Sequence, residues 1–533
     1  MKDRPNTDWK GLLWTAAPLV IVAACALTYS NALEGPFVFD DLPAIVDNDL
    51  LPPSTLSECL SAPAGSTASG RPVVALSFAL NHALSGDEVI GWHATSLILH
   101  LLSALALFGL TRETLARMGN ARALPLAATI TLAWALHPLL TDAVNLVASR
   151  SELFVSLFYL LVLFCLTKSA ARKKPWAALC VLACALGMAS KEVMVSAPLV
   201  AFAWDRCFLS GSWSAAWRER RGLYQSLAST WIVLGLCAWS AERGDSISLG
   251  ALAMSPWESL CTQAGAITHY LRLLLWPSPL SIDYAGWPVA TGISTVLPQA
   301  LLILGLISTS IWRLCKGHPD GLLFLGALAL LAPSSSVIPL TGELVAEHRM
   351  YLASAPLIAL LLLGLDRISS QRSFLAISLT LCLALGITTQ RRNQDWSTEL
   401  ALWSATTSTR PDNARAWNSL GVALKRLERA EEAESAWKTA LSHDPSQSHA
   451  HGNLGGHYAR QEDAEQAIFH FREAVRLSPK NPELLLNLGS MLFATGAANE
   501  AEPHLVQALA VAPKDWALRE KAERRLAAAR RRR

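Results

Sequence analysis

Two adjacent carboxylates, Asp40 and Asp41, follow the first long apolar segment of the chain, in the stretch Gly35–Asp41 (GPFVFDD). Charges placed beside a membrane-length apolar segment are costly and usually have a function. Like charge and partial burial can raise the pKa of one carboxyl group into the range of a general base. The alternative is a solvated acidic turn that ends a helix, which is the commoner role of an arbitrary Asp–Asp pair. Because Pro36 and two phenylalanines precede the pair, we favour the general base.

Three more polar clusters interrupt later apolar segments. They are His137 with Asp142, Arg150 and Glu152; Lys191 with Glu192; and Glu347, His348 and Arg349 with Tyr351. Each cluster alone could be a self-satisfied ion pair, and a buried histidine at the end of a span is usually structural. Charges at membrane depth normally pair or line a cavity, so clusters on one face suggest a single polar cavity. We predict that Arg150, Lys191 and Arg349 bind a phosphate or pyrophosphate there. The residues predicted to support the cavity are His137, Asp142, Glu152, Glu192, Glu347, His348 and Tyr351.

Several kinds of site lack support in the sequence. It contains no Gly-rich nucleotide loop and no defensible Ser-His-Asp arrangement, so a nucleotide-sugar donor is unsupported. The ten cysteines have no CxxC pair and no zinc-type spacing, and we interpret them as small buried hydrophobes. We expect no cofactor and no metal, although Asp40 and Asp41 could bind a divalent ion. Because the basic residues are spread over loops, the net charge of +3 does not indicate nucleic-acid binding.

The composition is that of a membrane protein with a soluble C-terminal domain. Hydrophobic residues form 52 % of the 533 residues and charged residues 16 %, compared with about a quarter charged in soluble domains. Apolar segments run from Leu12 to about Thr388, and the composition becomes that of a soluble domain after Arg391. The first segment lacks a small-residue cleavage site after it, so we interpret it as an uncleaved span.

We therefore predict an all-α fold: a polytopic bundle at residues 1–390, embedded in the lipid bilayer, and a soluble helical solenoid. The apolar windows indicate about eleven spans. They lie near 12–31, 92–111, 124–140, 152–167, 176–190, 193–204, 223–241, 296–312, 321–340, 352–365 and 373–389. A further segment, 259–276, is predicted to be interfacial or re-entrant.

Basic residues predict the orientation of the spans. They concentrate in alternate loops, which should be cytoplasmic by the positive-inside rule. These residues are Lys2, Arg4, Lys10, Arg112, Arg117, Arg122, Lys168, Arg172, Lys173, Lys174, Arg206, Arg218, Arg220, Arg221, Arg313, Lys316, Arg367 and Arg372. An odd number of spans places the N-terminus inside and the C-terminal domain outside. A long first external loop, 32–91, would then carry the Asp–Asp pair, with an interfacial helix at 72–85.

The C-terminal part repeats itself with a period of 34 residues, which is the length of a tetratricopeptide repeat. Glycine and alanine positions let two antiparallel helices approach closely, and a proline ends the second helix. After a linker at 391–413 we predict three repeats within 414–533, closed by a polar helix at 515–533, which is enough for a stable stack. The recurring positions are Trp417, Leu420, Gly421, Leu424, Ala433, Trp437, Ala440 and Pro445; His451, Leu454, Gly455, Tyr458, Ala467, Phe471, Ala474 and Pro479; and Leu485, Leu488, Gly489, Leu492, Ala501, Leu505, Ala508 and Pro513.

The order of motifs resembles one family. The repeats are preceded by PFVFDD, RPVVALSFALNHAL, GWHATSLILH, HPLLTDAV, ASRSE, ASKEVMVSAPL and EHRMYL. Together these stretches resemble the transmembrane-and-tetratricopeptide-repeat protein O-mannosyltransferases and, more broadly, the GT-C class of polyprenyl-phosphate-sugar glycosyltransferases. The resemblance covers nearly the whole chain. The chain departs from the animal proteins in having only three repeats, and its short loops are typical of a bacterial protein.

The resemblance implies a function. Asp40 or Asp41 would act as base on an acceptor hydroxyl, and basic residues on the external side would hold the phosphate of a polyprenyl-phosphate sugar, with mannose or another hexose transferred. Direct displacement with inversion needs electrostatic support for the leaving phosphate more than a strong acid. The repeats would bind the acceptor polypeptide. The protein would lie in a bacterial inner membrane, with the repeats in the periplasm.

Two other functions remain open. A non-catalytic membrane scaffold that presents the repeats to partners would tolerate Asp→Asn at both Asp40 and Asp41. A glycan ligase or polymerase would use a lipid-pyrophosphate donor, and competition between monophosphate and pyrophosphate donors would separate it from the transferase.

Overall fold

The computed structural model describes residues 9–63, 65–170, 174–240, 254–335, 343–513 and 516–532. Every regular element within these ranges is a helix, and the ranges contain no strand. The chain divides into two compact units. Unit 1 comprises Met1–Ile282 and Trp287–Thr398, and unit 2 comprises Asp283–Gly286 and Glu399–Arg533. The predicted all-α fold class is confirmed.

Unit 1 contains the apolar helices. Its α-helices are α1 Trp9–Tyr29, α2 Leu56–Cys59, α3 Pro72–Ser85, α4 Val89–Arg117, α5 Ala123–Ala135, α6 Thr141–Asn145, α7 Arg150–Ser169, α8 Lys174–Met188, α9 Ala197–Phe208, α10 Trp213–Ser229, α11 Trp231–Ser240, α12 Pro256–Leu275, α13 Leu297–Cys315, α14 Gly321–Leu331, α15 Met350–Ile368 and α16 Gln371–Asp395. Short 3₁₀-helices precede several of them, including Val147–Ser149 before α7, Glu192–Ser196 before α9 and Glu347–Arg349 before α15.

Five helical stretches in the described part of the chain are long and apolar enough to cross a membrane, so the chain is an integral membrane protein. They are Val89–Arg117, Val147–Ser169, Ile293–Cys315, Glu347–Ile368 and Gln371–Asp395. A sixth arises if Ala123–Ala135 and Pro138–Asn145, which meet at 54°, form one bent span.

The predicted number of about eleven spans is not confirmed. Other predicted spans fall on short helices: α8, α9 and α14 have 15, 12 and 11 residues. Each is below the roughly 20 residues that a bilayer requires. The segment 259–276, predicted to be interfacial or re-entrant, is helical up to Leu275 and ends at the C-cap of α12, Trp276. Helix α12 starts at a capping box between Ser255 and Glu258. Hydropathy windows detect apolar composition but do not detect where a helix ends.

Ion pairs gather at one end of unit 1. Arg313 and Arg367 both donate to Asp320, over 2.7 Å each. Two further pairs, Arg122–Asp366 at 3.0 Å and Lys168–Glu113 at 2.5 Å, connect the same group of helix ends. Helix α7 ends beside this group and begins about 30 Å away, given the rise of 1.5 Å per residue. The Asp–Asp pair lies near the beginning of α7.

Some predicted features lie outside the described residues. They are Lys2, Arg4, Arg172, Lys173 and the ends of the predicted segments 223–241, 321–340 and 515–533.

Unit 2 contains the repeats. Its helices are α17 Glu399–Thr409, α18 Ala414–Arg426, α19 Ala430–His443, α20 Ser448–Arg460, α21 Ala464–Leu477, α22 Pro482–Ala494, α23 Ala498–Val511 and α24 Arg519–Arg531. A Cβ atom added at Gly421 would lie 2.4 Å from the Trp437 ring, which shows how closely α18 and α19 approach. Gly455 and Gly489 face Phe471 and Leu505 in the same way, at 2.7 Å. The predicted role of the repeat glycines is confirmed.

The residues assigned to a linker, 391–413, contain the last turn of α16 and the whole of α17. Leu402 and Trp403 on α17 are buried, because α17 packs against α18 within unit 2. The boundary between the two units falls between Thr398 and Glu399.

Candidate active site

Asp41 is fully buried and is held by backbone groups. Its Oδ2 accepts a hydrogen bond from the Val38 N–H over 3.2 Å, and its Oδ1 accepts one from the Ala148 N–H over 2.6 Å. The first bond closes the loop that follows α1, and the second ties this loop to the turn before α7. Burial raises the pKa of Asp41 to about 8, against the two N–H bonds, which lower it. Asp41 therefore anchors the loop.

Asp40 differs from its neighbour in exposure. Its side chain is half-buried, and it follows Phe39, whose φ of 53° lies in the left-handed region. An aromatic residue rarely adopts this backbone conformation, and such outliers cluster at functional sites. After the pair, residues Leu42–Val46 form a short π-helical turn. This conformation and the anchoring of Asp41 hold Asp40 at the rim of the buried region.

Arg150 occupies a buried pocket of aromatic rings. Its guanidinium carbon lies 5.0 Å from the centre of the Phe78 ring and 5.5 Å from that of Trp92. Nη2 donates to the Trp92 carbonyl over 3.1 Å, and Nη1 is 3.4 Å from the Ser77 carbonyl. The side chain has no exposed surface. Arg150 was predicted to bind phosphate. In the structure it bonds to α3 and α4 and interacts electrostatically with Asp41.

The first turn of α7 connects these groups to two further ion pairs. Glu152 pairs with Lys191, and both side chains are buried. Ser151 Oγ lies 3.4 Å from Arg71, which pairs with Glu192 through contacts of 3.1 and 3.2 Å. Because Ala148 also binds Asp41, residues 148–152 touch each group. The structure thus brings together five of the predicted residues: Asp41, Arg150, Glu152, Lys191 and Glu192.

A histidine–aspartate pair lies at the turn before α15. The backbone N–H and the Nδ1 of His348 each lie 3.1 Å from Asp142 Oδ2. Glu152 also interacts electrostatically with His348. His348 keeps 20 % of its side-chain surface exposed, while Asp142 keeps 2 %. This pair is therefore near the Lys191–Glu152 pair and is open on one side.

Other predicted cavity residues have structural contacts. His137 bonds through its ring to the Leu274 carbonyl and the Leu139 N–H, at 3.0 and 3.2 Å. Tyr351 is buried, and its hydroxyl lies 2.7 Å from His100 Nδ1. Glu347 Oε1 accepts from the Ser281 N–H over 2.7 Å. These three side chains hold loops and helices of unit 1 together.

Arg349 is half-buried beside the segment that leads into α15. Its Nη2 donates to the Glu343 carbonyl over 2.6 Å and its Nη1 to the Leu344 carbonyl over 3.2 Å. Both partners are neutral backbone carbonyls, so these bonds do not compensate the positive charge of Arg349. Of the three predicted phosphate ligands, Arg349 is the most exposed.

Arg71 was not identified as a site residue from the sequence. It lies immediately before Pro72, at the start of α3, and donates to the Thr67 carbonyl over 2.6 Å. Its ion pair with Glu192 joins residues 121 positions apart. The one available signal was a basic residue in an external loop otherwise poor in them. Three polar atoms are buried and lack a hydrogen-bond partner among the described residues: Arg71 Nε, Arg150 Nε and Asp142 Oδ1. Such atoms are rare in folded proteins, and they often mark a place where a polar ligand or water binds.

An apolar groove lies farther along α7, between α4, α9, α14 and α15. It has a volume of about 90 Å3. Its lining includes Leu107, Leu160, Leu163, Leu323, Leu352 and Ala355. Leu160 follows Glu152 by eight residues on the same helix, a distance of about 12 Å along the axis. The groove therefore lies on the helix that begins in the polar cluster.

Within the described ranges, no group of three or more His, Cys, Asp or Glu side chains is arranged to hold a metal ion. The prediction that no metal or cofactor is required stays a prediction.

Comparison with known proteins supports the resemblance. The family described as "Tetratricopeptide repeat" matches residues 389–437, 423–482 and 458–529. The chain is 25 % identical over 439 residues to "Protein O-mannosyl-transferase F38B6.6" of Caenorhabditis elegans, an alignment covering 78 % of this chain and 61 % of that protein. It is 26 % identical over 468 residues to "Protein O-mannosyl-transferase TMTC3" of Homo sapiens, covering 78 % and 49 %.

A shorter alignment is more similar. Over 161 residues, 28 % of this chain and 17 % of the relative, identity to "Protein O-mannosyl-transferase TMTC1" of Mus musculus is 34 %. The chain covers between 49 % and 61 % of the length of the first relatives described. The similarity inferred from the motifs, to proteins named protein O-mannosyl-transferase, is confirmed.

Proposed function

We propose that this chain is a membrane glycosyltransferase that transfers a sugar, mannose or another hexose, from a polyprenyl phosphate to a protein hydroxyl. One observation carries the proposal: the Asp40–Asp41 pair lies beside the cluster of cations at the first turn of α7. Similarity to proteins named protein O-mannosyl-transferase supports the same reaction. Transfer to a hydroxyl from a lipid phosphate needs a base for the hydroxyl and positive charge for the leaving phosphate.

We assign the base to Asp40 and a positioning role to Asp41. Both oxygens of Asp41 already accept backbone N–H groups, and the side chain has no exposed surface. Asp40 is half-buried, so an acceptor hydroxyl can approach it. Arg150 stabilises the ionised form of Asp41 through its field.

The donor phosphate is assigned to Arg349, Lys191 and Arg71. Arg349 is the most accessible of the three basic residues predicted for this role, and Lys191 and Arg71 flank the first turn of α7. The open side of His348 adds a donor to the same place. The polyprenyl chain would lie along the apolar groove, because its lining is mainly aliphatic, with Tyr159 and Trp204 as aromatic members, and because the groove follows the same helix. No metal enters this scheme.

In the reaction, the acceptor oxygen attacks the anomeric carbon, and the bond from that carbon to the phosphate oxygen breaks with inversion. The electron pair of that bond leaves with the polyprenyl phosphate, whose charge the cations stabilise. Asp40 accepts the proton of the attacking hydroxyl. The products are the glycosylated polypeptide and a polyprenyl phosphate.

The location follows the predicted orientation. The protein would lie in a bacterial inner membrane with its N-terminus in the cytoplasm, and the Asp–Asp pair and the repeats outside, where the repeats bind the acceptor polypeptide. The concentration of basic side chains at the other end of unit 1 supports this orientation.

Replacement of Asp40 by asparagine tests the reaction. Purified full-length protein would be incubated with labelled polyprenyl-phosphate sugars and envelope polypeptides. We expect Asp40→Asn to reduce transfer about 100- to 10,000-fold, the usual contribution of a positioned base. Asp49→Asn is the matched control, since Asp49 is an exposed acid in the same loop, and it should keep full activity.

Each outcome is informative. Loss of transfer in Asp41→Asn with full activity in Asp40→Asn would reverse the two roles. Transfer from a lipid pyrophosphate but not from a monophosphate would indicate the ligase or polymerase. No transfer with any donor, while the repeats still capture envelope proteins, would support the scaffold.

A further inference from the structure

A polar groove crosses the first helices of the three repeats in unit 2. It has a volume of about 370 Å3, which is within the range of ligand-binding clefts. Its lining comes from α18, α20, α21 and α22: Lys425, Gly452, Asn453, Gly456, Ala459, Arg460, Phe471, Asn487, Ser490 and Met491. None of these described lining residues is acidic.

Two cations in this groove have no acidic partner. Within the described part of the chain, neither Lys425 nor Arg460 makes an ion pair or hydrogen bond through its side chain, and both are exposed. The pKa of Lys425 is lowered by partial burial and by the neighbouring charges of Arg460 and Arg426. Arg426 pairs with Glu399, so its charge is compensated. Repulsion between Lys425 and Arg460 is relieved when an anion binds between them.

The amide groups of the groove suit an extended polypeptide. Asn453 and Asn487 occupy equivalent positions in successive repeats, 34 residues apart, and both line the groove. Asn453 donates to Asn418 Oδ1 over 2.9 Å, which fixes its side chain and leaves its own oxygen as an acceptor. Ser490 Oγ is buried and lacks a partner among the described residues. These groups can pair with the N–H and C=O groups of a main chain that has no secondary structure.

Small residues open the groove to a backbone. A Cβ atom added at Gly456 would meet only the Arg460 guanidinium, at 4.0 Å. A larger side chain at this position would approach the Arg460 guanidinium. The site therefore combines room for a main chain, amides at a repeat spacing and a pair of cations.

We propose that this groove binds an extended polypeptide segment that carries acidic side chains, whose carboxylates lie between Lys425 and Arg460. The inference rests on the proposed role of the repeats as the part that binds the acceptor, and not on the chemistry of transfer. It assigns the acceptor a chemical class: hydroxyl-bearing polypeptide with glutamate or aspartate near the modified residue. An anionic lipid surface is the other source of negative charge, but a flat surface cannot fill a groove lined by amides.

Binding of two matched peptides to the full-length protein in a neutral detergent tests the proposal. The peptides are labelled decapeptides of Ser, Thr and Gly that contain three Glu or three Gln, and binding is measured by fluorescence anisotropy. We expect the Glu peptide to bind about tenfold more tightly at low salt, and this preference to disappear as salt screens the charges. The salt series uses wild-type protein alone, so it does not depend on the folding of any variant.

Variants locate the site. Lys425→Ala and Arg460→Ala should each weaken binding of the Glu peptide about three- to tenfold, and the double variant should remove the preference for Glu. Asn487→Ala should weaken both peptides equally, because it affects contacts with the main chain. Lys480→Ala is the control, since Lys480 is exposed and carries the same charge outside the groove.

Several outcomes would contradict the proposed binding of acidic peptides. Equal affinity for the two peptides, an effect of Lys480→Ala as large as that of Lys425→Ala, or binding of phosphatidylglycerol vesicles but of neither peptide would overturn the inference. Binding of the acidic peptide without sugar transfer would support the proposed peptide site and contradict the proposed transferase activity. Sugar transfer to an acceptor free of acidic residues, without selectivity between the peptides, would support the transferase and contradict the peptide site.

Discussion

Two buried aspartates at opposite ends of unit 1 differ in their hydrogen-bond partners and in the direction of their pKa shifts. Asp41 is 0 % exposed and Asp320 is 5 % exposed. Asp320 receives three hydrogen bonds from Arg313 and Arg367, at 2.7 to 2.9 Å. Asp41 receives two backbone N–H groups. Burial raises the pKa of Asp41 to about 8, whereas for Asp320 the arginine bonds overcome burial and lower the pKa.

The difference shows what each carboxylate can do. Asp320 is neutralised by two cations in direct contact and fastens helix ends, which is a structural role. Asp41 lacks such direct pairing, and the nearest buried cation, Arg150, bonds instead to α3 and α4. Perturbed carboxyl groups of this kind are concentrated at functional sites. The pKa of Asp41 therefore lies above neutrality with no cation in direct contact within the described ranges, whereas two arginines compensate the charge of Asp320 at the other end of the unit.

The largest expected effect that separates the two residues comes from Asp41→Asn. The amide cannot accept both the Val38 and the Ala148 N–H, so one buried donor loses its partner at a cost of about 1–3 kcal/mol. We expect transfer to fall at least about tenfold through kcat, because Asp40 loses its support. Thermal unfolding and steady-state kinetics of the purified protein would measure both. A variant with normal stability and normal kcat would contradict the anchoring role.

A smaller effect is expected from Asp320→Asn. The substitution leaves Arg313 and Arg367 without a charged acceptor, but their side chains are 27 % and 57 % exposed. Water can solvate them, so the loss of unfolding free energy should be about 1 kcal/mol. Transfer should remain within about twofold of wild type, because the site lies at the other end of α7. A large loss of activity without a loss of stability would remove the distinction between the two ends.

The smallest effect is a difference in pH dependence. The folded-state pKa of Asp41 is raised, so its contribution to stability is present below about pH 4 and is lost as the pH rises to about 8. The folded-state pKa of Asp320 is lowered, so its contribution is present above about pH 4 and is lost on acidification. Between pH 5 and 9, the Tm of wild type relative to Asp41→Asn should fall by a few degrees. The Tm relative to Asp320→Asn should stay level, and parallel slopes would refute the assignment.

Sequence was sufficient where local pattern determines structure. The spacing of Gly421, Gly455 and Gly489 predicted the close helix pairs of unit 2, because each glycine meets a fixed partner in the next helix. It also predicted that Glu152 and Lys191 would share a site, since both occur where apolar segments stop.

The rest depends on contacts between distant parts of the chain. No local pattern indicates that Arg150 is enclosed by Phe78 and Trp92, or that Arg71 pairs with Glu192. The predicted number of spans was not confirmed for a related reason: helices stop at turns such as Pro138–Leu140 and Glu192–Ser196, inside windows that remain apolar. The choice between Asp40 and Asp41 needed the burial of each side chain.

The left-handed turn at Phe39 has a consequence for variation of this chain. A glycine at this position would adopt a φ of 53° without steric cost, and this would make the folded loop easier to form. Glycine would also give the same loop many other conformations, and Asp40 would lose its fixed direction. Selection for higher stability would then favour glycine at position 39, and selection for faster transfer would favour phenylalanine. Phe39 keeps the strained backbone and, with it, the restricted loop that holds Asp40.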